Sequence, residues 1–323
     1  MTWTWMETNR TELPAGAVAP LQQHPSYGAA CAALGAGLRR FALRGAGGQL
    51  IGGAQVLERR LPLLGRAALL SRGPVWAPGL AAGARRDALL RLLERLRTDH
   101  RIVAVTPDPC AGADPLEGSG WMAAMTPSHL ARLDLTEGVE AMRARQHGKW
   151  RNRLRRAEAA GLEITHAPMP ADPAHWLLKR EAEQARQRRY RGLPPAFTAA
   201  WIARSGRRSA RIFTAGRGGR PVAAMLFLLH GGAASYHVGW SGPQGREAGA
   251  HNLLLWRAQL WLAGRGIRLL ELGPLDTRNA PGLARFKLGS GARAVRLGAT
   301  RLSAPGTGLF AGRRGAAQPA CSR

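Results

Sequence analysis

Residues 268–291 read RLLELGPLDTRNAPGLARFKLGSG, in which a short apolar strand runs into a polar loop and then into a Phe-Lys-Leu-Gly-Ser-Gly close. In an open α/β sheet, ligands collect at the carboxyl ends of the strands. Glu271 and Asp276 bracket this strand end, and Gly273 supplies the turn. The stretch therefore predicts a site that combines two carboxylates with the ammonium group of Lys287.

Lysine is a rare residue in this chain, which gives Lys287 additional weight. Of the 47 basic residues only Lys149, Lys179 and Lys287 are lysines, and the others are arginines. Where arginine is the default cation, a lysine indicates a need for a compact charge with an adjustable pKa. The alternative is a lysine on the solvated face of a short helix.

Length and charge limit the class of protein. The 323 residues have room for about two domains. A formal net charge of +27 and a pI near 11.8 favour anionic partners, such as nucleic acid, phosphorylated metabolites or an acidic membrane face. A GC-rich coding sequence would also convert lysine to arginine, but it would not explain why carboxylates number only 20. No stable protein partner is predicted.

Several classes of protein are not expected. No apolar run approaches the roughly 18 residues that cross a bilayer, and the first residues lack a secretory signal. We therefore expect a cytoplasmic protein with, at most, peripheral contact at the inner membrane face. Three widely spaced cysteines and nine scattered histidines predict neither disulfides nor a metal site. No bound cofactor is expected.

Two parts of the chain repeat one order of predicted elements: a strand hairpin, a strand, a helix and a strand. In the first part the segments are residues 39–44, 49–60, 66–71, 85–98 and 101–106, and in the second they are 210–215, 221–229, 233–240, 248–263 and 267–272. This order predicts an architectural duplication with mixed α/β sheets. The expected boundaries are an N-terminal domain (1–135), a basic helical connector (136–165), a C-terminal domain (166–304) that closes on a strand at 294–302, and a flexible tail (305–323).

The loop at residues 241–249 is a second candidate site, because a helix is expected to begin after it and free N–H groups at a helix start bind anions. Arg246, Gly249 and Ala250 partly match the Arg-x-x-Gly-x-Gly/Ala pyrophosphate turn of GNAT acetyltransferases. His251 occupies the closing small-residue position, however, and the loop is also compatible with a plain helix cap. The spacings of a P-loop, a Rossmann fingerprint and a hydrolase nucleophile elbow are not met.

The ordered motifs resemble those of the Fem family of peptidoglycan aminoacyltransferases and its FemAB-related branch, over roughly residues 20 to 300. They are QHPSY at 23–27, SRGPV at 71–75, the basic helix at 149–161, GAH at 249–251, ELG at 271–273, and PGLARFK at 281–287 followed by Gly289 and Gly291. The resemblance implies an α/β fold of two GNAT-like domains of the acyl-CoA N-acyltransferase type in tandem. It also implies transfer of an aminoacyl group from aminoacyl-tRNA to an amine on a peptidoglycan precursor.

The resemblance also implies roles for residues. Lys287 would stabilise the oxyanion or a substrate phosphate, with Phe286 packing beside it. Between residues 184 and 323 the only carboxylates are Glu247, Glu271 and Asp276. Asp276 is the first candidate for acid/base catalysis, and Glu271 either shares that role or orients Lys287 as an ion-pair partner.

Other residues are predicted to bind substrates. The predicted substrate contacts are Arg72, Arg151, Asn152, Tyr236 and Trp240, and the predicted donor contacts are Arg246, Gly249 and Ala250. For Tyr236 and Trp240 a position in the core is the alternative. Two other functions stay open, namely a GNAT N-acetyltransferase that uses acetyl- or acyl-CoA, and a catalytically silent anion- or RNA-binding protein.

Overall fold

A computed structural model of the chain describes residues 3–110, 112–190 and 192–307. The strands are β1 (Thr4–Glu7), β2 (Gly37–Arg44), β3 (Leu50–Leu61), β4 (Gly65–Ser71), β5 (Val75–Trp76), β6 (Ile102–Thr106), β7 (Met122–Met125), β8 (His129–Asp134), β9 (Glu163–Pro168), β10 (Ala210–Arg217), β11 (Arg220–His230), β12 (Ala233–Ser241), β13 (Leu269–Pro274), β14 (Arg293–Arg296) and β15 (Thr300–Ser303). The α-helices are α1 (Pro25–Ala33), α2 (Ala82–Asp99), α3 (Val139–Ala144), α4 (Gly148–Glu158), α5 (Trp176–Arg188), α6 (Pro195–Ser205), α7 (Pro243–Glu247), α8 (Ala250–Ala263) and α9 (Pro281–Gly289). Most of the predicted flexible tail, from residue 308 onward, lies outside the described residues.

The chain divides into two compact units, and each is built from separate stretches of sequence. The first unit comprises residues 1–17, 36–128 and 296–323, and the second comprises 18–35 and 129–295. The sheet of the first unit has the order β1-β2-β3-β4-β6-β15-β7, with β5 paired to β3, and that of the second has the order β14-β8-β13-β12-β11-β10-β9. The predicted α/β class with mixed sheets is confirmed.

The predicted duplication is present in both sheets. In the first unit β2, β3 and β4 are antiparallel neighbours, α2 follows, and β6 lies parallel to β4. In the second unit β10, β11 and β12 are antiparallel neighbours, α8 follows, and β13 lies parallel to β12. A parallel pair needs a crossover connection, which is why a helix interrupts each set of strands.

The two parallel pairs differ in length. The pairing of β4 with β6 continues from Ala67 opposite Ile102 to Ser71 opposite Thr106, at the end of both strands. The pairing of β12 with β13 stops at Ser235 opposite Glu271. Beyond this point β12 carries a bulge at His237, because Tyr236 and Val238 face consecutive residues of β11. The carboxyl ends of β12 and β13 are therefore not hydrogen-bonded to each other.

The second sheet is covered on both faces, which explains the continuous apolar sequence of β11. Met225 and Phe227 pack into the core that contains α4 and α8. Leu226 and Leu228 point to the opposite face and pack with Trp201 of α6. Alternation of this kind, with both faces buried, is expected for a strand without polar positions.

The structure departs from the expected domain boundaries. The basic connector is not one helix but two, α3 and α4, and both α4 and the following β9 belong to the second unit. The helix is interrupted between α3 and α4. In this interruption the N–H of His147 donates to the carbonyl oxygen of Gly289 at 3.0 Å. This contact fastens α4 to α9, so the basic segment is a packed part of the second unit.

The predicted final strand at 294–302 is also divided. β14 belongs to the second sheet, whereas β15 lies between β6 and β7 in the first sheet. β8, which was expected in the N-terminal domain, pairs with β13 in the second sheet. Both departures concern partners distant in sequence, which local patterns do not specify.

Candidate functional site

Lys287 lies in the last turn of α9 and is buried, with 4% of its surface exposed. Its Nζ donates to the carbonyl oxygen of Pro274 at 2.8 Å, and Pro274 is the last residue of β13. The ammonium group is therefore held at the carboxyl end of β13, where β12 no longer pairs with it. Lys287 therefore does not lie on the solvated face of a short helix, the alternative that the sequence left open.

Among the residues that the structure describes, Lys287 has no counter-ion. Burial lowers its pKa from 10.5 to about 8, since the ammonium form loses hydration. Within the described residues no Asp or Glu oxygen lies within 4.0 Å of Nζ. At neutral pH the group is therefore mostly protonated, and an anion at this position would be bound by an uncompensated cation.

Aromatic rings surround this position. The ring of Phe286 lies 6.2 Å from that of Trp150 on α4 and 6.2 Å from that of His251 on α8. His251 Nε2 lies 3.0 Å from the carbonyl oxygen of Trp240, near the end of β12. Burial lowers the pKa of His251, so its ring is neutral at physiological pH. Phe286, the neighbour of Lys287 on α9, therefore packs with rings from α4 and α8, and His251 ties this cluster to the end of β12.

Sequence reasoning did not identify Trp150, Gln146 or His251 as parts of this cluster. Trp150 packs so closely on α9 that a Cβ at Gly289 would lie 2.9 Å from its Cδ1. Trp150 Nε1 and both amide atoms of Gln146 are buried without a hydrogen-bond partner within the described residues. The available signal was the departure at His251 from the small residue that the GNAT turn requires.

Glu271 does not form the predicted ion pair with Lys287. Its Oε1 accepts a hydrogen bond from Arg132 Nε at 2.8 Å. Arg132 lies on β8 directly opposite Glu271 in the antiparallel register with β13, so the two side chains are cross-strand neighbours. The carboxylate is 5% exposed and neutralised by arginine.

Asp276 closes the loop before α9. Its carboxylate accepts hydrogen bonds from the N–H groups of Arg278 (3.0 Å) and Asn279 (2.8 Å) and from Asn279 Nδ2 (2.8 Å). These bonds lower its pKa, because they stabilise the charged form. The geometry therefore disfavours Asp276 as a proton acceptor, because its basicity is reduced.

Tyr236 and Trp240 lie on the part of β12 that is no longer paired with β13, and both are half-buried. The Tyr236 hydroxyl occupies the space that a side chain at Gly239 would need, since a Cβ there would meet it at 1.9 Å. Burial raises the pKa of Tyr236, so the hydroxyl is neutral. The Trp240 ring packs edge-on against Trp176 at 5.8 Å, which supports the core interpretation for this side chain.

Arg151 and Asn152 lie on α4 next to Trp150. Arg151 Nη1 donates to the carbonyl oxygen of Ala144 at the end of α3, at 3.3 Å. Asn152 is exposed and accepts from Arg155 Nη1 at 3.3 Å. The helix that carries them contributes Trp150 to the site, whereas these two side chains engage their own segment.

The predicted donor turn is covered. Gly249 precedes α8 with φ +66°, and a Cβ there would lie 3.0 Å from Arg153 Cγ and 3.5 Å from Ala157 Cβ. Gly249 and Ala250 are buried, and Arg246 is exposed, with Nη1 donating to the carbonyl of Ser241 at 2.6 Å. The packing of Arg153 and Ala157 of α4 against Gly249 agrees with a plain helix cap, the alternative to a donor turn that the sequence left open.

Arg72 belongs to the first unit, where it follows β4. It is 5% exposed, and its guanidinium group makes two contacts with the Asp108 carboxylate, one of which joins Nη2 to Oδ2 at 3.0 Å. Its charge is therefore paired within that unit.

Comparison with known proteins identifies the fold. Residues 144–288 match the model of the acetyltransferase (GNAT) domain family. A crystal structure of FemX superposes with a TM-score of 0.70 at 12% identity, over 90% of this chain and 95% of that one. The C-terminal domain of a putative lysylphosphatidylglycerol synthetase from Agrobacterium fabrum gives a TM-score of 0.52 at 14% identity, over 88% and 86%. The structure of L-PGS from Bacillus licheniformis gives 0.51 at 16% identity, over 91% of both chains. No curated protein sequence matches the chain.

These findings define the class of protein. The fold is that of two GNAT-like units, and the resemblance to FemAB-related proteins is confirmed at the level of fold. The second unit carries the GNAT domain together with the Lys287 site, and the chain is an acyltransferase. In the described part of the chain no helix is both long and apolar enough to cross a bilayer. The same residues contain no group of three His, Cys, Asp or Glu side chains arranged to hold a metal ion.

Proposed function

We propose that this acyltransferase moves an aminoacyl or related acyl group from an ester donor such as aminoacyl-tRNA to an amine on an anionic precursor of the cell envelope, such as a peptidoglycan precursor. The observation that carries the proposal is the buried, unpaired ammonium group of Lys287 at the end of β13. The net charge of +27 is complementary to a polyanionic donor and to a phosphate-bearing acceptor.

The chemistry requires a cation at this position. A neutral amine attacks the ester carbonyl, negative charge develops on the carbonyl oxygen, and the bond to the ribose oxygen then breaks. A preorganised donor that faces the developing charge lowers the barrier by about 3 to 4 kcal/mol. Lys287 Nζ serves as that donor or holds a substrate phosphate, and Phe286 packs beside the reacting group.

The proton balance fits the carboxylates that are present. The amine loses one proton when the amide bond forms, and the departing ribose oxygen takes up one proton. No net proton is released, so the reaction needs a transfer route rather than a strong permanent base. This agrees with the engagement of Asp276 in loop closure and of Glu271 with Arg132.

The covered turn at Gly249 favours an ester donor over coenzyme A. Arg153 and Ala157 of α4 pack against the backbone that would receive the pyrophosphate. One of the structures with the same fold is named as the C-terminal domain of a putative lysylphosphatidylglycerol synthetase. That name supports aminoacyl transfer as the chemistry of this fold.

The test supplies the full chain with a pool of tRNA charged with labelled amino acids and with nucleotide-linked and lipid-linked peptidoglycan precursors. We expect a labelled amide product from wild type and a turnover at least about a hundredfold lower from Lys287→Ala. Transfer from acetyl-CoA alone would replace this proposal with an N-acetyltransferase. Salt-sensitive RNA binding without any transfer would instead identify an anion-binding protein.

A further inference from the structure

The hairpin between β3 and β4 exposes an apolar tip. Its sequence at residues 61–65 is LPLLG. The Leu63 side chain is fully exposed at 100%, and Leu64 is 53% exposed. A leucine that contacts only solvent adds nothing to the core, so the packing of the first unit does not explain the residue at this tip.

The backbone at Leu63 is also unfavourable for leucine. Its φ of +63° lies in the left-handed region, which glycine and asparagine adopt readily and a leucine adopts at a cost of about 1 kcal/mol. Glycine or asparagine would form the same turn with less strain and without apolar exposure. Neither local conformation nor packing therefore accounts for Leu63, which points to a surface that this side chain contacts.

A collar of arginines surrounds the tip. Arg59 and Arg60 end the exposed part of β3, and Arg66 lies opposite Arg60 on β4. Arg101 lies beside the turn, with its Cδ 3.6 Å from the Cβ position of Gly65. Glu58 is the carboxylate that pairs with this collar, through Arg66 at 3.3 Å.

The spacing of apex and collar matches the interface of a bilayer. Arg60 and Arg66 are each three residues from Leu63, which at about 3.3 Å per residue places them within about 10 Å of it along the chain. Apolar groups of peripheral proteins enter the headgroup and acyl boundary to a depth of about 5 to 10 Å. The guanidinium groups would then lie among the lipid phosphates while the leucines reach the acyl chains.

We propose that the β3–β4 hairpin inserts Leu63 and Leu64 into the surface of an anionic bilayer, with Arg59, Arg60, Arg66 and Arg101 contacting lipid phosphates. The charge of the collar selects an anionic surface. Two leucines are far too few for a protein interface, which buries about 800 Å² on each partner. The inference goes beyond the proposed transfer reaction and does not depend on it.

The experiment measures partitioning of the full chain onto sedimented vesicles of mixed phosphatidylglycerol and phosphatidylcholine, and onto vesicles of phosphatidylcholine alone. We expect Leu63→Asn to weaken binding to the anionic vesicles about tenfold, the loss expected for one buried leucine. Its melting temperature should stay equal or rise, because asparagine tolerates the left-handed conformation. Leu64→Ser should weaken binding in the same direction.

The collar and the controls separate the two contributions. The double variant Arg59→Gln/Arg60→Gln should weaken binding about tenfold or more on anionic vesicles and leave the weak binding to neutral vesicles unchanged. The control Val139→Asn removes an apolar side chain that is 52% exposed, as Leu64 is at 53%, and that lies between Glu137 and Glu140 in the sequence. It should leave binding to both kinds of vesicle unchanged. Transfer to a soluble acceptor should be unaffected by Leu63→Asn, which keeps this result separate from the transfer reaction.

Two outcomes would overturn the inference. One is equal binding of wild type and Leu63→Asn to anionic vesicles, which would assign membrane affinity to general positive charge. The other is a wild-type dimer in sedimentation velocity that Leu63→Asn dissociates without any vesicle binding, which would make the tip a contact between copies of the chain.

Discussion

Each unit contains one parallel strand pair joined through a helix, and a buried cation lies near the carboxyl end of each pair. In the first unit β4 and β6 stay paired to their ends, and Arg72 is neutralised by Asp108. In the second unit β12 and β13 stop pairing at Ser235, and Lys287 donates to a carbonyl oxygen and has no carboxylate partner in the described part of the chain. The same architecture has therefore produced one closed strand end with a paired charge and one open strand end with an unpaired charge.

From this difference we propose that Arg72 has a structural role and Lys287 a functional one. A buried cation with a carboxylate partner stabilises its surroundings only as long as the partner remains. A buried cation without a partner destabilises the free protein and gains its counter-ion when substrate or a transition state arrives. The comparison predicts that removing the carboxylate partner of Arg72 lowers the stability of the protein. Removing the ammonium group of Lys287 should instead raise stability and lower turnover.

The largest effect is expected for turnover at the open end. Lys287→Ala should lower kcat at least about a hundredfold, since one oxyanion donor contributes about 3 to 4 kcal/mol. Steady-state transfer assays with wild type and variant at equal folded fraction, checked by circular dichroism, measure this. Unchanged turnover would remove Lys287 from the mechanism.

Opposite changes in stability are expected at the two ends. Asp108→Ala leaves the Arg72 charge buried and should lower the free energy of unfolding by about 2 to 3 kcal/mol. Lys287→Met removes an ammonium whose pKa is depressed from 10.5 to about 8 and should raise it by about 2 kcal/mol at neutral pH. Denaturant titrations of both variants test the sign. Destabilisation by both would mean that Lys287 is as structural as Arg72.

A pH dependence follows from the same depressed pKa. Because the cationic form of Lys287 is lost as pH rises through about 8, kcat/KM should fall about tenfold per unit above that value. In Lys287→Arg the group stays charged, so any residual activity should lack this alkaline limb. Initial rates between about pH 6.5 and about pH 9.5 record it. A wild-type profile that is flat across pH 8 would contradict the assignment.

The smallest effect is expected at Asp276. Asp276→Asn retains most hydrogen bonds of the loop, so kcat should fall less than about threefold. A protein in which Asp276 removes the proton would lose about a hundredfold or more. The comparison is made under the conditions used for Lys287→Ala.

The sequence predicts the duplicated elements because their signals are local. Glycine-rich turns at 45–48 and 216–219 fix the two hairpins, and leucines at helical spacing fix α2. Lys287 is conspicuous among arginines, and its side chain is buried at a strand end, while its role in a site stays a prediction. The sequence could not predict that Glu271 pairs with Arg132 and not with Lys287. That pairing depends on the register of β8 with β13, which brings Arg132 opposite Glu271.

Other misses also depend on partners distant in sequence. The turn at Gly249 matches an anion-binding pattern, but α4 packs on it from a position about a hundred residues earlier. Trp150 and His251 lie within motifs of the resemblance, but the motifs do not show that the two rings meet Phe286, which happens only after three helices pack together. A sequence motif describes one segment of the chain, whereas burial and ion pairing depend on contacts between two segments.

The position of β15 affects how the protein is made on the ribosome. This strand follows the second unit in the sequence and separates β6 from β7, and within the described residues β7 pairs with β15 alone. A nascent chain that has emerged only to residue 295 already contains all of the second unit, but its first unit still has unpaired strand edges. A strand translated after the whole second unit thus completes the unit begun first, and premature termination before Thr300 would release a chain prone to aggregate.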